Sequence, residues 1–118
     1  MNILTLSIKQ KYFDAILAGT KKQEFREILP HTQKKYLALS EEYGILIPRK
    51  YDVIKFLTGA YTGKRPYMYV QIKDAHIEMF RDKKGREITY EFNGKKYVAA
   101  QIIYDLGKII SCHEQFIN

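Results

Sequence analysis

One cysteine, three prolines and no tryptophan are found in 118 residues. Cys112 has no second thiol in the chain to pair with, so an intramolecular disulfide is excluded and a reducing, cytoplasmic setting is expected. No apolar run reaches the roughly 18–20 residues of a membrane-spanning helix, so no membrane partner is expected. The N-terminus lacks a basic region followed by an apolar core, so export is not expected either. His31, His76 and His113 are scattered, and Cys112 beside His113 lacks the spacing of a zinc knuckle, so no metal is expected. The phosphate-binding loop, the dinucleotide fingerprint and the Gly-x-Ser-x-Gly elbow are all missing, and no cofactor is expected. With Cys112 in a polar C-terminal stretch, a cysteine protease is unsupported.

What is abundant is positive charge. Twenty Lys and Arg against thirteen Asp and Glu give a net charge of +7, which favours association with polyanions and attracts them at long range. The basic residues fall in pairs, Lys21-Lys22, Lys34-Lys35, Arg49-Lys50, Lys64-Arg65, Lys83-Lys84 and Lys95-Lys96, mostly at turns and element ends. Ten tyrosines and six phenylalanines supply stacking candidates of the kind single-strand binders use, although most such rings serve cores and strand faces. Hydrophobic residues at 46% and charged residues at 28% fit a globular domain, and the length fits one domain, 1–118, with a single modest core.

The local pattern reads as mixed α and β. Residues 2–8 place Leu4, Leu6 and Ile8 against Ile3, Thr5 and Ser7, as a central strand does. Phe13, Ile16 and Leu17 recur at helical spacing within 9–18, and Gly19 sits where a left-handed helix stop suits glycine. Strand alternation returns over 22–28 and ends at Pro30. A second helix is predicted over 32–43, with Thr32 as its N-cap and Gly44 as its stop. Strands follow at 51–58 and 67–80, separated by a Gly- and Pro-bearing loop at 59–66. The apolar parity of 67–80 changes midway, which predicts a bulge or bend near Lys73-Asp74-Ala75. Residues 87–92 and 95–98 form a hairpin over Asn93-Gly94, a pair suited to a type I′ turn. That register sets Glu91 against Lys96 and Tyr90 against Tyr97. A last strand covers 99–106, Gly107 turns the chain into Ile109-Ile110, and 111–118 is a loosely held tail.

The densest chemistry lies between Gly19 and Glu27. Lys22, Glu24 and Arg26 share one strand face directly after Lys21 at the helix–strand turn. Such a row is either a solvated face with ion pairs of little worth or the floor of a pocket for a polar ligand, and the residues alone favour the first.

Gly19, Lys21, Glu24 and Arg26 in the order Gly-x-Lys-x-x-Glu-x-Arg resemble the signature of the ASCH domain family, of the PUA-like superfamily. Residues 51–56, 68–78 and 103–110 resemble its later strands. The resemblance leaves out 30–47 and the hairpin near Asn93. It implies an α+β fold: a PUA-like open, mostly antiparallel β-barrel with a short helix across one end, the 30–47 segment being an inserted second helix. It also implies binding of RNA or a nucleotide, with Lys21, Glu24, Arg26 and Lys9 as ligand-binding candidates. A related branch hydrolyses N4-acylated cytidine with a pocket lysine and a threonine three residues later. Lys21 matches the lysine, but Glu24 occupies the threonine position, so Lys21 and Glu24 are catalytic candidates only for an altered mechanism. A ribonuclease-like activity stands as a further alternative.

Overall fold

In the computed structural model, which describes residues 1–59 and 64–113, the chain is mainly β with two short helices. In order the elements are β1 (Ile3–Ser7), α1 (Gln10–Leu17), β2 (Gln23–Ile28), α2 (Gln33–Tyr36), β3 (Leu37–Leu39) and β4 (Leu46–Pro48). They are followed by β5 (Val53–Leu57), β6 (Tyr67–Met79), β7 (Thr89–Phe92), β8 (Lys95–Val98) and β9 (Ala100–His113). Five strands make one sheet in the order β1-β5-β6-β9-β2, and β3-β4 and β7-β8 are separate two-stranded sheets. The large sheet is mixed, since β1 runs parallel to β5 whereas β5 and β6 are antiparallel. Its order is open at both ends, and no closed barrel forms among the described residues. No helix is long and apolar enough to cross a membrane, again among the described residues.

The chain folds as two compact units. The first comprises Met1–Glu24, Lys50–Asp74 and Asp105–Asn118, and the second Phe25–Arg49 and Ala75–Tyr104. In the first unit Leu4, Leu6, Phe13, Ile16, Val53, Ile54, Phe56, Met68, Val70 and Leu106 are buried. The even residues of β1 and β6 supply one side of this core and the apolar stripe of α1 adds Phe13 and Ile16, as period 2 and period 3.6 require. The second unit buries Ile28, Tyr36, Leu37 and the run Ala100, Ile102, Ile103, Tyr104, with the Tyr36 and Tyr104 rings 6.5 Å apart.

Several local expectations hold. The backbone of α1 ends in a Schellman motif: Gly19, at φ +78°, donates its N–H to the Ile16 carbonyl, and the Thr20 N–H reaches Ala15. The predicted hairpin forms as β7-β8 with Glu91 opposite Lys96 and Tyr90 opposite Tyr97. Asn93 (φ 51°) and Gly94 (φ 74°) both adopt the left-handed region that a type I′ turn demands. In β6 the less exposed residues are even as far as Ile72 and odd from Ala75, so the parity change predicted from the sequence is seen, with Lys73 and Asp74 both exposed between the two halves.

Four expectations are corrected. The helix predicted over 32–43 stops at Tyr36; Leu37 is extended (φ −121°, ψ 151°), and Leu37–Leu39 pairs antiparallel with Leu46–Pro48. The Ser40 N–H donates to the Ile45 carbonyl and the Ser40 hydroxyl accepts from the Tyr43 N–H, local bonds that compete with a continuing helix. Gly44 therefore serves a hairpin loop, and the helically spaced Leu39 and Tyr43 point to solvent. Thr32 does not cap α2, because its hydroxyl accepts from the Leu29 N–H and closes a turn instead. β1 is an edge strand, not a central one: only Leu4 and Leu6 turn inward, and Ile3 is exposed. Gly107 makes no turn, as β9 continues through it to His113 and takes in the first residues of the predicted tail. The rest of that tail, 114–118, and the middle of the 59–66 loop lie outside the described residues.

Candidate functional site

The first unit carries an open cleft of about 750 Å³. One wall is the C-terminal end of α1, where Ile16 and Leu17 are followed by Gly19, Lys21 and Lys22; β6 contributes Gln71 and Lys73, and β9 contributes Leu106, Gly107, Lys108 and Ile109. Four lysines, Lys21, Lys22, Lys73 and Lys108, thus ring a space whose remaining wall is largely apolar. Such a volume is typical of a small-molecule site, where apolar surface supplies contact area and a few polar groups fix orientation.

The fold places these groups through specific local devices. The Schellman ending of α1 reverses the chain at Gly19, and the Ala15 carbonyl also accepts from the Lys21 N–H at 3.1 Å, which fixes where the lysine pair leaves the helix. The Leu106 N–H donates to the Lys22 carbonyl at 2.9 Å, and the Gln23 amide donates to Asp105 at 2.6 Å, tying the start of β2 to β9. Gly107 lies against the side chains of β6: a Cβ there would meet Lys73 Cγ at 3.0 Å and Gln71 Oε1 at 3.1 Å. A side chain at this position would press on both groups, so the glycine leaves room for Gln71 and Lys73 beside β9 at the cleft.

Of the residues singled out from sequence, Lys21 lines the cleft directly. Glu24 faces inward from β2, is 5% exposed, and sits 3.1 Å from Lys21 Nζ. The inward orientation rejects the solvated-face reading for this carboxylate: the alternation in β2 buries Glu24 and Ile28, half-buries Arg26, and leaves Gln23, Phe25 and Glu27 exposed. Glu24 thereby holds the lysine at the cleft rim. Arg26 belongs to the second unit and is not a lining residue, and Lys9 is the exposed N-cap residue of α1, away from the lining. Sequence reading missed Gln71, Lys73 and Lys108 as site residues. Their only sequence signal is Gly107 beside Lys108, since the approach of β6 to β9 is a long-range pairing that no local pattern encodes.

Several arginines, two of them from the doublets, have structural duties instead. Arg65 donates to the Thr58 carbonyl and the Ser7 hydroxyl, Arg49 to the Lys34 and Leu37 carbonyls, and Arg86 to Asp82. The cleft is thus lined by lysine rather than arginine, which supplies mobile point charges rather than a fixed fork. The second unit has its own concavity, about 520 Å³, walled by Ile28, Leu37, Leu46, Met79 and the stacked Tyr90 and Tyr97, with Lys95 and Lys96 beside them. Compared with protein-family models, curated proteins and solved structures, the chain matches none of them.

Proposed function

We infer that the chain is a binding module of ASCH type whose lysine cleft receives a nucleotide or the end of an RNA strand. The observation that carries this reading is the convergence of Lys21, Lys22, Lys73 and Lys108 on one cleft with an apolar wall. Phosphate oxygens meet the ammonium groups, the base or ribose lies against Ile16, Leu17 and Leu106, and the Gln71 amide offers both a donor and an acceptor to a base edge. The Glu24–Lys21 pair positions one ammonium group in advance. The net charge of +7 adds long-range attraction. The PUA-like open barrel belongs to the same proposal, supported by the open order of the five-stranded sheet and by the Gly-x-Lys-x-x-Glu-x-Arg signature.

Binding of single-stranded RNA measured over a range of salt concentrations tests it. If n lysines meet phosphates, log affinity falls with log salt at a slope of about −0.7n. Lys73→Ala and Lys108→Ala each shallow that slope, whereas Lys83→Ala, in the exposed turn after β6, leaves it nearly unchanged. Equal small losses at all three positions would reduce the interaction to unspecific attraction and refute a site.

The 3.1 Å contact between Lys21 and the buried Glu24 supports a second reading, a small hydrolase acting on modified nucleosides or RNA. There Glu24 activates water and Lys21 stabilises the developing oxyanion. Turnover of N4-acetylcytidine by the wild type that is lost in both Glu24→Gln and Lys21→Ala would establish it. Background rates in all three proteins would remove the acylcytidine hydrolase reading and favour binding.

A further inference from the structure

We propose that a single-stranded nucleic acid entering the lysine cleft continues along the odd-numbered face of β6, where Tyr69, Tyr67 and His113 form a stacking track for its bases. The track rests on the nucleotide-binding reading of the cleft and extends it from one nucleotide to a strand.

The geometry is continuous within the first unit. Alternate residues of a strand share a face, so Lys73, Gln71, Tyr69 and Tyr67 line one side of β6 in sequence. The first two of these belong to the cleft. Tyr67 and Tyr69 meet edge to face at 5.8 Å, and the His113 ring from β9 stacks on Tyr67 at 4.7 Å with 24° between planes. Lys55, paired with Tyr69 across β5 and β6, holds its ammonium 4.6 Å from the Tyr67 ring centre and 5.6 Å from that of Tyr69. The two tyrosines are half-buried and His113 is exposed, so ring surface reaches solvent at the same place as a cation.

This constellation differs from ordinary sheet packing. The Tyr90–Tyr97 stack of the second unit is a directly opposed cross-strand pair in a two-stranded ribbon, which needs no ligand to explain it. The Tyr67 group gathers rings from two strands and a lysine from a third, on the side of β6 opposite the buried Met68 and Val70. Base–aromatic stacking tolerates any sequence because every base presents a π-face, and cations beside the rings neutralise the backbone. From Lys73 to Tyr67 the strand spans about 20 Å. That length holds about six nucleotides at the stacked spacing of roughly 3.4 Å, and fewer if the strand is stretched.

Fluorescence anisotropy with labelled hexauridylate, with uridine monophosphate as competitor, separates track from cleft. Tyr67→Ala weakens hexamer binding about 5- to 150-fold and leaves competition by the mononucleotide unchanged. Tyr67→Phe keeps hexamer affinity, and His113→Ala, altering an exposed side chain, lowers it without disturbing the core. Lys73→Ala weakens both ligands. Wild-type hexamer affinity in Tyr67→Ala and His113→Ala, together with loss in Lys73→Ala, would overturn the track and leave the cleft standing. Failure of the wild type to bind either ligand would remove the cleft and the track with it. A twelve-pair RNA duplex bound as tightly as a single strand of that length would also overturn the track, because paired bases cannot stack on it.

Discussion

The two units are built from the same alternating strand pattern, yet they bury it differently. In the first, strands of five residues and more close over Phe13, Ile54 and Phe56, and its large exposed apolar residues are Met1, Ile3, Tyr12, Ile109 and Ile110. The second holds segments of β2, β6 and β9 beside the ribbons β3-β4 and β7-β8, which are only three or four residues long, and its Phe25, Leu39, Tyr43, Ile45, Leu46, Met79, Ile88, Phe92 and Val98 all remain exposed. A two-stranded ribbon by itself is marginal in water, and three or more strands with a buried face are needed for independent stability. Fewer large apolar residues are left exposed in the first unit, and both the lysine cleft and the ring cluster lie there. The lesson is that alternation predicts strands, whereas strand length and partner number decide which strands can carry a site.

The contrast is broken most directly by paired core and surface truncations. Phe56→Ala, at a fully buried position in β5, lowers unfolding free energy by about 3–5 kcal/mol. Phe92→Ala, 47% exposed at the end of β7, changes it by only about 0.5 kcal/mol. Chemical denaturation checks both, and similar losses at the two sites would show that the second unit is as tightly built as the first.

Inside the first unit, Gly107 links stability to the cleft. Gly107→Ala sets a methyl group against Lys73 and Gln71 and costs about 1–3 kcal/mol if the neighbours cannot yield. It also displaces two groups of the cleft, so nucleotide affinity falls with stability. Unchanged values of both would mean that the Lys73 side chain simply swings aside and that the close approach has no role in the site.

This glycine also shows what the sequence could and could not reveal. The helix stop at Gly19, the Asn93-Gly94 hairpin and the parity change in 67–80 were legible because each is a local rule about backbone conformation or side-chain alternation. Lys21 and Glu24 became candidates through the resemblance of Gly-x-Lys-x-x-Glu-x-Arg to a family signature, not from local pattern, and their contact follows from a turn and a strand only three residues apart. The helix predicted at 32–43 failed because hairpin pairing overrides helical periodicity, and Ser40 supplies the competing hydrogen bonds. Lys73, Lys108 and the Tyr67–His113 stack were invisible because strands far apart in sequence bring them together.

The smallest effect is a pH dependence in the second unit. The Arg86 backbone N–H, donating to the Asp82 carboxylate, holds that group below the ordinary aspartate range against an opposing desolvation, with the Lys84 N–H and the Arg86 side chain assisting. A carboxyl whose folded value is depressed adds stability above its unfolded value and loses it as pH falls through the folded one. The difference in unfolding stability between wild type and Asp82→Asn is thus present at neutral pH and fades below about pH 4. A difference that persisted undiminished well below the aspartate range would assign the turn's stability to something other than this charge.

The claim that the first unit holds the site is tested most directly by a nitrogen-15 amide titration with uridine monophosphate. Shifts are expected at Gly19, Lys21, Lys22, Gln71, Lys73, Gly107 and Lys108, with Tyr90, Lys95, Lys96 and Tyr97 of the second concavity unmoved. Shifts confined to those four residues, or none anywhere at millimolar nucleotide, would contradict it.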